Sequence, residues 1–291
     1  MSAKRVAVVG LSLVVAVVFA AACGGKKSHG SPQPTITSLV PDSGVVGTTV
    51  VVSGADFGST QGGSTVTFGS ATATVVTWSG SEITVHVPDV LPGAHPVTVT
   101  VGANDSNAAP FTVKFPDVVY AFAGSGATQT SALVAAWSWS TNGTLTQVSG
   151  SPYIAGVNNS GYGGDPHPIA LDANHRRLFA AQDTGVMVWN IDGATGALTP
   201  VAGSPFSGGQ TPSYFMGVDV TPDGAHVYTS AYGAGTIVGF DVATGGALTP
   251  IAGSPFPITP VMAPSSVRVS DDGACLFADN DTDSSLLGLH I

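Results

Sequence analysis

Gly196-Ala-Leu-Thr-Pro-Val-Ala-Gly-Ser-Pro205-Phe206 decides the fold, because it occurs three times. A near copy is Gly246-Ala-Leu-Thr-Pro-Ile-Ala-Gly-Ser-Pro255-Phe256, and a looser one is Gly143-Thr-Leu-Thr-Gln-Val-Ser-Gly-Ser-Pro152-Tyr153; the three begin 53 and 50 residues apart. A second phrase recurs in phase: Asp172-Ala-Asn174-His-Arg-Arg-Leu178-Phe179, Thr221-Pro-Asp223-Gly224-Ala-His-Val227-Tyr228 and Ser270-Asp-Asp272-Gly273-Ala-Cys-Leu276-Phe277, with steps of 49 residues. Two interlocked phrases at one period of about 50 define a repeated unit. Its short apolar bursts, separated by Asp-Gly pairs that turn tight hairpins, make it a β unit the size of a propeller blade. Each unit is predicted to run from a strand at 168–171, through a turn, to strands at 178–181 and 186–189, and then by Gly-x-Leu-Thr into a fourth.

This arrangement resembles the lactonase-like seven-bladed propellers and the YVTN-repeat surface proteins, whose blades carry the same Pro-Asp-Gly turn and Thr-Gly-x-Leu-Thr step. Trp189 and Phe240, 51 residues apart at one strand position, are expected to be core between blades. Residues 117–291 hold about three and a half units, whereas rings close with roughly four to eight. The expectation is an incomplete propeller of about 3.5 blades with an exposed apolar edge, from a truncated chain; the alternative is a dimer in which two chains close one ring.

Upstream, residues 34–113 alternate apolar and polar positions in short runs such as Ile83-Thr84-Val85-His86-Val87 and Val97-Thr98-Val99-Thr100-Val101. About seven such half-buried strands in some 80 residues predict a sandwich of two sheets. The series Pro34-x-Ile36, Pro41-x-x-Gly44-x-x-Gly47, Val50-x-Val52-x-Gly54, Phe57-Gly58, Val66-x-Phe68-Gly69, Trp78, Ile83-x-Val85-x-Val87-Pro88 and Gly93 resembles the IPT/TIG family of immunoglobulin-like domains. The resemblance implies a packing role for Trp78 rather than a carbohydrate platform. The fold class is therefore all-β: an immunoglobulin-like TIG β-sandwich followed by an incomplete β-propeller.

Composition agrees. Only 9% of the 291 residues are charged, while 38 glycines and 20 prolines punctuate the chain. Of 8 basic residues, only Lys114, Arg176, Arg177 and Arg268 lie beyond residue 27, against 18 acids. Neutralising phosphates needs clustered Lys and Arg, so nucleic acid is excluded as a partner. Residues 1–23 read as an export signal: Lys4 and Arg5, an apolar run from Val6 to Phe19, then Ala20-Ala21-Ala22 before Cys23. The run resembles a bacterial lipobox, which implies lipid on Cys23, although Ala20 stands where the family usually has Leu. Ordinary secretion and a retained span are the alternatives. Residues 24–33 then form a flexible tether, and Gly24, not Asp, follows the cysteine, which in Gram-negative lipoproteins implies the outer membrane. With Cys23 acylated, Cys275 has no disulfide partner.

Catalytic motifs are sparse. The sequence holds no Gly-x-Ser-x-Gly elbow and no His-Glu-x-x-His, and Glu82 is its one glutamate. Asp165-Pro-His167-Pro168 and Asp183-Thr-Gly185 faintly resemble a lactonase-family segment, which makes His167 and Asp183 candidate catalytic residues against a default of exposed loop groups. Asp279, Asp281 and Asp283 alternate oxygen side chains as calcium loops do, but no acidic ligand follows them, and a solvated hairpin turn is the default. No cofactor is expected. The expected function is extracytoplasmic binding or scaffolding at a bacterial surface, with the membrane as partner through the N-terminal lipid and an unknown protein or carbohydrate as ligand; the alternative is a 6-phosphogluconolactonase-like hydrolase.

Overall fold

The computed structural model describes residues 32–123, 132–156, 169–211, 214–258 and 263–291. Cys23 and His167 lie outside the described residues, as do the signal and nearly all of the tether. Strands dominate, and the helical element among the described residues is one 3-10 turn, Tyr232–Ala234.

The N-terminal domain is a sandwich of two sheets. One orders its strands Thr35–Val40, Thr49–Ala55, Glu82–His86 and Thr74–Trp78; the other orders Ser43–Gly44, Ala109–Val113, Gly93–Val101, Thr65–Phe68 and Ala71–Thr72, with Asn104–Asp105 folded back on Gly93–Val101. Seven of these strands have four or more residues, as the alternation predicted. The inward residues of both sheets, among them Val50, Val52, Phe68, Ile83, Val85, Val97, Val99 and Phe111, form one core. Phe68 meets Phe111 edge to face, with centroids 5.2 Å apart, the geometry ring quadrupoles favour. Trp78 packs edge-on to Phe57 at 6.4 Å, and its indole N–H donates to the carbonyls of Phe57 and Gly58 at 3.1 and 3.2 Å. The packing role read for it is correct. Gly54 is required by close approach, since a Cβ there would lie 2.0 Å from the Thr35 carbonyl oxygen.

The repeats form four separate sheets, each an antiparallel meander, and they do not close a ring. Blade 1 contains Val118–Ala123, Ala132–Trp139, Leu145–Gln147 and Tyr153–Gly156. Blade 2 runs Ile169–Leu171, Arg177–Gln182, Gly185–Ile191, Leu198–Pro200, and blade 3 runs Phe215–Val220, His226–Ala231, Thr236–Val242, Leu248–Pro250, with Phe256–Pro257 added beside its third strand. Blade 4 contains Val267–Val269, Cys275–Asn280 and Ser285–His290. Trp189 and Phe240 are fully buried between blades, as expected.

The recurring phrase acts as a clasp. In blade 3 the Ile251 N–H donates to the Gly239 carbonyl at 3.0 Å, and Ser254 Oγ accepts the Gly239 N–H at 3.0 Å. Val201 and Ser204 hold Val188 in blade 2 in the same way, and Val148 and Ser151 hold Ala136 in blade 1. Upstream of the clasp, the phrase leucine enters the core: Leu198 and Leu248 are each 6% exposed, packed against the preceding blade. Leu145 of blade 1, with no blade before it among the described residues, is 53% exposed, and its neighbour Trp139 is 57% exposed. On the far side of blade 4, Leu286 is 70% exposed where its counterpart Ile237 is fully buried. These are the uncovered faces that an open arc requires.

Candidate functional site

Meander topology puts chemistry at two opposite ends of the blades. The hairpins joining second to third strands, at 183–184, 232–235 and 281–284, share one end. The Asp-Gly turns between first and second strands, with the loops leading into the fourth, share the other.

At the hairpin end of blade 2 lies Asp183. It is 5% exposed, not an exposed loop group as its default reading held, and its neighbour Gln182 is 1% exposed. Gln182 Nε2 donates to Thr184 Oγ1 at 2.7 Å, while its Oε1 is buried without a hydrogen-bond partner among the described residues. Gly156 abuts this amide so closely that a Cβ would lie 2.2 Å from Oε1. His167 lies outside the described residues, so the pairing of Asp183 with it has no geometry here.

At the same end of blade 4, the three aspartates divide their work. Asp279 Oδ1 accepts the N–H groups of Ser265 and Ser266 at 2.8 and 2.6 Å, and its Oδ2 accepts the Ser265 hydroxyl at 2.7 Å. Burial pushes its pKa up, but these hydrogen bonds outweigh that and hold it below the ordinary value of 3.8. Asp281 reaches the same hydroxyl at 3.1 Å. Asp283 instead accepts from Asn280 Nδ2 at 2.6 Å and from the Ser285 N–H at 3.0 Å; hydrogen bonds from Ser285 lower its pKa too. The turn is thus built by its own aspartates, two on Ser265 and one on Asn280. Among the described residues, no group of three or more His, Cys, Asp or Glu side chains is gathered closely enough to hold a metal ion.

The Asp-Gly end carries a site that the sequence reading did not single out. In blades 3 and 4 the turn aspartates Asp223 and Asp272 each accept a hydroxyl, from Thr221 at 2.6 Å and Ser270 at 2.5 Å, and a following backbone N–H. Gly224 and Gly273 both have φ of 72°. Blade 2 departs from this pattern at consecutive positions. His175 replaces the glycine while keeping a φ of 48°, which a side chain tolerates only at a cost. Arg176 replaces an alanine, and the carboxylate has moved to Asp172, where it accepts the N–H groups of Arg176 and Arg177 at 2.6 and 3.1 Å.

Both replacements face the sandwich. Arg176 Nη2 lies 2.7 Å from Asp89 Oδ1 and donates to the Val90 carbonyl at 2.6 Å. The His175 ring stacks on Phe115, in the segment joining the domains, with centroids 3.9 Å apart and planes at 27°. Close by, a Cβ on Gly193 would lie 3.0 Å from Val46. Blades 3 and 4 keep Gly-Ala at these positions, so the departures occur in the blade that the sandwich touches.

A sandwich of immunoglobulin type held against an arc of propeller blades defines the class: a two-domain, all-β protein with its candidate surfaces on the blade ends. The chain carries an IPT/TIG domain, matched over residues 34–115, followed by the lactonase seven-bladed β-propeller domain, matched over 121–254. It is 41% identical over 76 residues to the cyclomaltodextrin glucanotransferase of Geobacillus stearothermophilus, covering 26% of this chain and 10% of that protein. It thus spans about a tenth of the length of the curated relatives it matches. Among solved structures, a putative 6-phosphogluconolactonase from Bacteroides uniformis is similar with a TM-score of 0.48 and 16% identity, covering 69% of this chain and 63% of that one. An auxiliary nutrient binding protein from Bacteroides thetaiotaomicron aligns with a TM-score of 0.33 and 14% identity, over 89% of this chain and 67% of that one.

Proposed function

We propose that this chain is an exported, lipid-anchored protein that binds or displays at a bacterial surface, the TIG domain acting as spacer and the blade arc as recognition surface. The joint at His175 and Arg176 carries this reading. A spacer presents a binding surface in a defined pose only if it is fixed to that surface, and the blade residues that fix it are the ones that depart from the repeat. The basic, apolar and small-residue series ending at Cys23 supplies the export and anchoring half of the proposal. The ligand is a protein or carbohydrate.

Mass spectrometry of the membrane-extracted protein tests the anchor: the expected N-terminus is a diacylated Cys23, and Cys23→Ser should release the protein from membranes. Retention of the Cys23→Ser protein overturns that half. The match to the lactonase domain supports a second reading, a lactone hydrolase using Asp183 and His167. Hydrolysis of 6-phosphogluconolactone by the full chain, lost in both Asp183→Asn and His167→Ala while folding is retained, would replace the binding reading with that one. Saturable binding on a glycan or protein array without such turnover supports the proposal.

A further inference from the structure

The two ends of the blades are not equivalent, because the sandwich occupies one of them. It meets blade 2 at the Asp-Gly end, through Asp89 on Arg176 and Phe115 on His175, and a Cβ on Gly47 would lie 3.9 Å from Ala194 in the loop leading into the fourth strand. The hairpin end is the opposite end of the same strands, and there the seam between blades 2 and 3 gathers a carboxylate and two tyrosines. Along the strand Arg177–Gln182, Leu178 and Ala180 pack toward blade 1, and Phe179 and Ala181 toward blade 3. Gln182 keeps to the first row, its amide lying against Gly156 of blade 1, so Asp183 continues the second. Phe215, which shares a core with Phe179 and Ala181, opens blade 3, and Tyr214 stands directly before it. One step beyond the pair Phe215–Ala231, the Tyr232 N–H donates to the Tyr214 carbonyl at 3.1 Å.

The conformation of Tyr214 is unusual for its size. Its φ is 51°, which glycine or asparagine adopts readily and a bulky side chain only under strain, and the residue is 37% exposed. Such strain clusters at ligand clamps and active sites. Charge is distributed just as unevenly. Of the Lys and Arg residues beyond position 27, Lys114 lies in the junction between the domains, Arg176 and Arg177 at the Asp-Gly turn of blade 2, and Arg268 two residues before Ser270 in that of blade 4. None is at the hairpin end. The seam therefore offers a carboxylate that accepts hydrogen bonds, phenol rings with an apolar face and a polar tip, and no cation to neutralise an anionic ligand.

We propose that the hairpin end of the seam between blades 2 and 3 binds a neutral saccharide, with Tyr214 stacked on a sugar ring and Asp183, the more deeply set of the two, accepting its hydroxyls. A phosphorylated or carboxylated sugar is disfavoured there, since its charge would meet that of Asp183 with nothing to offset the repulsion. The inference rests on the reading of the blade arc as a recognition surface, and narrows the ligand of that surface.

The test is isothermal titration calorimetry of the full chain with maltohexaose, cellohexaose, mannohexaose and chitohexaose, glucose 6-phosphate being the anionic control. Saturable binding of at least one neutral saccharide is expected, and none of glucose 6-phosphate. Tyr214→Gly suits the positive φ and so removes the ring while relieving the backbone; it should weaken binding about tenfold, as truncating an aromatic anchor does. Asp183→Asn should weaken it similarly, while Arg268→Ala should leave it unchanged. Failure of every neutral saccharide to bind, undiminished binding by Tyr214→Gly, loss of binding in Arg268→Ala, or a preference for glucose 6-phosphate overturns the inference. Capture of a protein ligand with no saccharide bound overturns it too, but leaves the binding function proposed above in place.

Discussion

Replacing Arg176 with alanine should loosen the sandwich from the blades without unfolding either. The side chain makes two contacts across the joint, an ion pair to Asp89 at 2.7 Å and a hydrogen bond to the Val90 carbonyl at 2.6 Å. Asp89 is 74% exposed, so solvent screens the ion pair to about 0.5 kcal/mol. The hydrogen bond has a charged donor and is only part-buried, and contributes about 1 kcal/mol. The sum, about 1.5 kcal/mol, is small beside a whole domain's stability but large for one joint. If the TIG domain draws that stabilisation from docking, its unfolding midpoint should fall by about 6 °C or more, since 1 kcal/mol shifts a domain of this size by roughly 4–8 °C. Differential scanning calorimetry should show the TIG transition moving down while the blade transition holds. Asp89→Asn should reproduce about a third of the shift, and the double variant should fall no further than Arg176→Ala alone. A midpoint unchanged within about 1 °C would refute the joint as a source of rigidity, and with it the observation on which the proposed function rests.

Other consequences are equally direct. Leu248→Ala opens a cavity between blades 2 and 3 and should cost about 3 kcal/mol, read from the denaturation midpoint of the blade transition. Trp78→Phe keeps the packing on Phe57 but abandons the carbonyls of Phe57 and Gly58; the TIG domain should lose about 1 kcal/mol in urea unfolding. Asp279 has a folded pKa below 3.8, so its contribution is complete above that value and is lost as pH falls through the depressed folded value. Asp279→Asn should therefore flatten the acid limb of stability against pH without altering its slope above pH 5, the outcome to be checked by thermal melts across that range.

The fold was legible because both domains advertise themselves through periodicity. Alternation in 34–113 marked the two sheets, and phrases recurring at about 50 residues marked the blades, including the burial of Trp189 and Phe240. The clasp was less legible. Repetition of Ser204 and Ser254 signals a shared role, but the partner of each hydroxyl is a backbone N–H, which carries no signature in sequence. Asp183 was misjudged as exposed because a hairpin position by itself says nothing about burial, and the side chain is 5% exposed. The joint was overlooked for a different reason. His175 and Arg176 were quoted only as part of the repeated phrase, whereas a histidine and an arginine standing where the other two copies have Gly-Ala were the available signal. Asp89 and Phe115, their partners, are too far away in the chain for spacing to connect them.

The departure of blade 2 from its siblings also bears on how the chain finds its fold. Nearly identical units create an addressing problem, since a nascent blade can pair with the wrong neighbour and still bury leucine, tryptophan and phenylalanine in about the right places. A label readable from outside the repeat removes the degeneracy. Of the turns in blades 2 to 4, only that of blade 2 carries the His175 and Arg176 that meet Phe115 and Asp89, so a sandwich already folded would have one blade, and not its siblings, to dock against. The two residues that join the domains would then also mark which blade lies at the joint.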